Sequence, residues 1–84
     1  MTVDELIKYI GLYNPMHGSP IVEVMYEIRV KHITLYFFVD RTNFRLTFYE
    51  SELKNYTKEY IKSLFDTICD KIKKGELVDY NSVQ

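Results

Sequence analysis

Residues 21–50 run IVEVMYEIRV KHITLYFFVD RTNFRLTFYE. β-Branched and aromatic side chains dominate this stretch, and Asp40-Arg41-Thr42-Asn43 interrupts it with turn-forming types. It divides into three expected strands, Ile21–Val30, Ile33–Val39 and Phe44–Glu50. Parity registers them against one another. If Lys31-His32 closes the first hairpin, Val30 faces Ile33, Ile28 faces Leu35, Tyr26 faces Phe37 and Val24 faces Val39. If Arg41-Thr42 closes the second, Val39 faces Phe44, Phe37 faces Leu46 and Leu35 faces Phe48. Every one of these residues then falls on one sheet face, and a slip of one residue would scatter them. Phe37 is therefore expected in the core and Phe38 outside it.

The same register assigns the opposite face. Its expected rows are Arg29–Thr34–Tyr49, Glu27–Tyr36–Thr47, Met25–Phe38–Arg45 and Glu23–Asp40–Asn43. Met25, Tyr36, Phe38 and Tyr49 stand there among charges. Tyr, Met and Arg are enriched in protein interfaces, and aromatic strand residues can also stack nucleic-acid bases. Contact with a protein partner, self-association, base stacking, and cover by a loop or the tail are the alternatives this pattern leaves open. In the first, Met25, Tyr36, Phe38 and Tyr49 act as apolar anchors, and Glu23, Glu27, Arg29 and Arg45 set the register.

Helices flank the strands. Thr2–Ile10 is the first, with Thr2 and Glu5 at capping-box spacing and Val3, Leu6, Ile7 and Ile10 as its apolar stripe. Gly11 is its expected stop, and Tyr13–Pro20 an expected loop. The second helix is expected over Thr57–Lys74, and a turn from Ser51 can precede it. Its stripe is Tyr60, Ile61, Leu64, Ile68 and Ile72, with Phe65 and Cys69 on the flank. Glu76–Gln84 reads as a loosely held tail. Two amphipathic helices and one apolar sheet face imply an α+β fold. It is a two-layer sandwich, αβββα, with a three-stranded antiparallel sheet in order 1-2-3 and both helices on one face.

Composition bounds the function. The 84 residues suit one domain, and 46% hydrophobic with 15% aromatic content argues against disorder. Eleven Lys and Arg balance twelve Asp and Glu, so no global field favours nucleic acid or an anionic membrane. No apolar run approaches the length of a membrane span, and Cys69, the lone cysteine, excludes an intramolecular disulfide. The default location is the cytoplasm. His17 and His32, the two histidines, lack metal-ligand spacing and read as solvated loop residues. Cys69 reads as a small buried side chain, and Lys54, Lys58 and Lys62 as a solvated helix stripe. Glu23, Glu27 and Asp40 read as a solvated strand face rather than an acid–base pair. No catalytic residue and no cofactor is implied.

The element order resembles that of the double-stranded-RNA-binding domain. The segment Asn55-Tyr56-Thr57-Lys58-Glu59-Tyr60 carries Glu and Tyr where that family has Lys and Ala. The first hairpin is also too short to reach a second minor groove. The chain further resembles small phage-encoded anti-CRISPR proteins of the type II-A class. That likeness rests on Val3-Asp4-Glu5-Leu6-Ile7-Lys8-Tyr9-Ile10 and Glu59-Tyr60-Ile61-Lys62-Ser63-Leu64-Phe65 within the same overall organisation. It implies a non-enzymatic protein that inhibits a host protein, such as a CRISPR effector, in the host cytoplasm. A small nucleic-acid-binding module is the alternative.

Overall fold

The computed structural model describes residues 1–77. The order is α1 (Val3–Met16), β1 (Ile21–Glu27), β2 (His32–Val39), β3 (Thr42–Tyr49), α2 (Glu50–Leu53) and α3 (Lys58–Lys73). The strands form one antiparallel sheet in the order β1-β2-β3. Leu6, Ile10 and Tyr13 of α1, Leu53 of α2, and Ile61, Phe65, Ile68 and Ile72 of α3 share one core. Ile21, Ile33, Leu35, Phe37, Val39 and Phe48 of the sheet complete it. All the helices therefore bury their apolar sides against the same sheet face.

Parity holds, but both hairpins close differently from expectation. Tyr26 pairs with Ile33 and Val24 with Leu35, four residues along β2 from the expected partners. β1 ends at Glu27, and residues 28–31 form the turn. A two-residue Lys31-His32 turn of type I′ needs positive φ at both positions. Only Lys31 adopts it, at φ 53°, and the longer turn relieves His32 of that strain. Glu27 helps close it, accepting the Arg29 N–H at 3.2 Å. Ile28 and Val30 leave the sheet and are 71% and 52% exposed, contrary to their expected burial.

The second hairpin closes at Asp40-Arg41, so Val39 pairs with Thr42, Phe37 with Phe44 and Leu35 with Leu46. Both turn residues have positive φ, 48° and 65°, as a two-residue hairpin turn matching the strand twist demands. Asp tolerates that conformation better than most residues. An even shift moves partners without exchanging faces, so Phe37 is fully buried and Phe38 exposed, as expected. A bulge between Ile21 and Glu23 then turns Ile21 into the core and leaves Val22 outside.

α1 runs past Gly11 to Met16, six residues beyond its expected end. Tyr13 extends the buried stripe of Leu6 and Ile10, and a side chain's worth of space lies open at Gly11, so nothing there forces a stop. Pro15 sits in the last turn, where it costs one terminal hydrogen bond. The chain exits through Gly18 at φ 76°. Asn14 then acts as a surrogate strand for the start of β1. Its amide donates to the Ile21 carbonyl at 2.7 Å and accepts the Ile21 N–H at 3.1 Å.

α3 begins at a Thr57 cap whose hydroxyl accepts the Tyr60 N–H at 3.1 Å. Thr57→Ala is expected to cost about 1 kcal/mol, read as a lowered denaturant midpoint with an unchanged slope. A midpoint within error of the parent would show that this cap contributes nothing. The helix ends in a glycine cap. Gly75 has φ 76°, its N–H bonds the Ile72 carbonyl at 3.0 Å, and the Glu76 N–H bonds that of Lys71 at 2.8 Å. The buried stripe is rotated from the expected one. Phe65 is at the centre of the core, while Tyr60 is exposed and packs its ring on Tyr56 at 4.6 Å. Lys54 lies beyond α2 and the 54–57 linker breaks any common stripe with Lys58 and Lys62. The expected loose tail begins at Glu76, and its residues 78–84 lie outside those described.

Candidate functional site

Because the helices all pack on one face of the sheet, the other is lined by strand side chains. Its rows are Glu23–Tyr36–Arg45, Met25–Thr34–Thr47 and Glu27–His32–Tyr49, with Phe38 beside Asn43 at one end. Of the residues expected there, Glu23, Met25, Glu27, Tyr36, Phe38, Arg45 and Tyr49 are brought together. Arg29 and Asp40 are not, because Arg29 belongs to the 28–31 turn and Asp40 to the turn that closes the second hairpin. The row partners are shifted from expectation by the two hairpin closures, which brings Glu23 level with Arg45.

Met25, Phe38 and Tyr49 are 52%, 46% and 53% exposed, while Tyr36 is half-buried. Thr34 forms the floor. It is buried, and its hydroxyl shares a hydrogen bond with that of Thr47 at 3.0 Å. The His32 ring meets the Tyr49 ring edge-on, with centroids 5.8 Å apart. Small threonines flanked by larger side chains leave a shallow depression of about 530 Å³, lined among others by Met25, Tyr36, Arg45 and Tyr49. Acidic side chains lie along β1 and Arg45 along β3, so charge runs across the strands. Among the described residues, no helix covers this face. Cover by the tail concerns residues 78–84, outside the described chain.

A second cluster escaped the sequence. His17 is not a plain loop residue: its ring stacks on Tyr13 with centroids 3.9 Å apart and planes 7° from parallel. Its Nδ1 lies 2.9 Å from the Tyr13 carbonyl, which can only accept, so Nδ1 carries the proton. The Tyr13 hydroxyl donates to Asp66 Oδ1 at 2.7 Å, Lys62 donates to Oδ2 at 2.8 Å, and His17 Nε2 stands 3.7 Å from Oδ1. Burial alone would raise the Asp66 carboxyl, but the bonds from Lys62 and Tyr13 hold it below its ordinary range. Burial, together with the Asp66 bond, pushes the Tyr13 hydroxyl up. Cys69 is half-buried rather than sealed in the core, and burial pushes its thiol up. A thiol so held is a poor nucleophile.

Tyr13, His17, Asp66 and Cys69 border a depression of about 610 Å³. The spacing Tyr13-x-x-x-His17 would have exposed the cluster had α1 been extended past Gly11. Among the described residues, no group of His, Cys, Asp and Glu could hold a metal ion, and no helix is long and apolar enough to cross a membrane. The second cluster ties α1 to α3 by geometry suited to holding two helices together. The sheet face presents half-exposed apolar side chains with charges at its edges, and it is the stronger candidate for contact with another molecule. No family model matches the chain, and no curated protein and no solved structure matches it either.

Proposed function

We propose that this chain is a non-enzymatic interaction protein that binds and inhibits a host protein by occupying its surface with the outer sheet face. The observation that carries this reading is the half-exposure of Met25, Phe38 and Tyr49 together on a face that no described helix covers. Apolar anchors inside a polar rim are the usual anatomy of protein interfaces. Glu23 and Glu27 against Arg45 give phosphate at least as much repulsion as attraction, which favours protein over nucleic acid. The resemblance to type II-A anti-CRISPR proteins makes a CRISPR effector in the host cytoplasm the first partner to test.

Affinity capture from a bacterial lysate after nuclease treatment tests it. The parent chain is expected to retain a specific protein, and Phe38→Ala to weaken that complex at least about tenfold with little change in melting temperature. If capture depends instead on nucleic acid, and labelled oligonucleotides bind with a steep salt dependence lost in Phe38→Ala, the protein-partner reading falls.

A further inference from the structure

We infer that the outer sheet face also pairs with a second copy of this chain, about a twofold axis running along β2. The inference rests on the reading of this face as an interaction surface, and it names what covers the face when no other partner is present. A twofold parallel to the strands keeps each row level and exchanges the sheet edges, so β1 of one copy lies over β3 of the other. Glu23 then meets Arg45 of the second copy, twice by symmetry, because both sit in the row of Tyr36. Met25 comes down over Thr47, so a large flexible side chain fills the low ground beside the Thr34–Thr47 floor. On the axis itself, Phe38 meets Phe38 of the second copy.

The alternative twofold, across the strands, sets β1 over β1 and brings Glu23 towards Glu27 of the second copy. Like charges there oppose that arrangement. Charge and side-chain size thus select the same axis.

Size fixes the strength. Three strands about 4.8 Å apart and about 3.4 Å per residue offer roughly 400 Å² per copy, or roughly 800 Å² for the pair. Stable interfaces bury about 1,200 Å² or more, so the pair is weak and reversible. A host protein with a larger footprint displaces the second copy rather than meeting a locked surface.

The test is sedimentation of the full chain from about 20 µM to about 1 mM, a range that brackets a weak interface. A concentration-dependent monomer–dimer equilibrium is expected. Glu23→Arg and Arg45→Glu, each alone, place like charges together and are expected to weaken self-association at least about tenfold. Mixed in equal amounts they restore both opposite-charge pairs, and the mixture is expected to dimerise again as a heterodimer. Both sites are exposed, and thermal melting by circular dichroism confirms that each variant folds. A parent chain that stays monomeric throughout, variants that dimerise like the parent, or a mixture that fails to recover would each overturn the inference. A monomeric parent that still captures a host protein through Phe38 would leave the proposed function standing, so the two failures are distinguishable.

Discussion

Phe37→Ala is expected to destabilise the fold by about 3–5 kcal/mol, the largest effect of any single substitution on the sheet. The ring lies on the central strand, fully buried. It meets Phe65 of α3 edge-on at a centroid distance of 5.6 Å and Phe44 of β3 at 6.4 Å. Truncation removes the transfer free energy of the ring and leaves a cavity between sheet and helix that rigid strands cannot close. A domain of this size has roughly 5–15 kcal/mol in total, so the variant stands near the edge of folding. Urea unfolding followed by circular dichroism measures it. Phe38→Ala, one residue along and on the other face, is expected to cost less than about 1 kcal/mol. Equal losses at the two positions would mean that Phe38 is as deeply packed as Phe37, and the outer face could not then be an interaction surface.

That pair shows what the sequence could and could not carry. Alternation along Ile33–Val39 settles which side chains face in, because the strand period is two and an even register error is invisible to it. Hairpin closure is set by turn conformation instead. Asp40 and Arg41 adopt positive φ with no glycine between them, and Ile28 and Val30 look like strand residues although they form a turn. Hence the outer face lost Arg29 and Asp40 to the two turns and gained His32, while its rows changed partners. The row that places Glu23 level with Arg45 comes from the observed closures alone. The far end of α1 was hidden by Gly11 and Pro15, both ordinarily helix-ending residues. Burial of Tyr13 outweighs their propensity costs, which are about 1 kcal/mol for a glycine. With that end hidden, Tyr13 and His17 had no visible relation to Asp66.

The second large effect concerns that relation. Tyr13→Ala is expected to cost about 3–5 kcal/mol, since the buried ring stacks on His17 and meets Phe65 edge-on at 5.1 Å. Tyr13→Phe keeps the ring and removes only the hydroxyl that donates to Asp66, so about 1–2 kcal/mol is expected. The smaller variant carries the pH signature. Asp66 is held below its ordinary range in the folded chain, so its contribution is present above the unfolded value of about 3.9 and is lost as pH falls through the folded value. Tyr13 is pushed above its ordinary value, so its contribution is present below about pH 10 and drains away as pH rises beyond that. The stability difference between the parent and Tyr13→Phe should therefore be greatest on a plateau from about pH 5 to about pH 9 and narrow on both sides. Urea midpoints across that range would show it. A difference independent of pH would mean that the hydroxyl contributes by packing, and that the bond to Asp66 does not clamp α1 to α3.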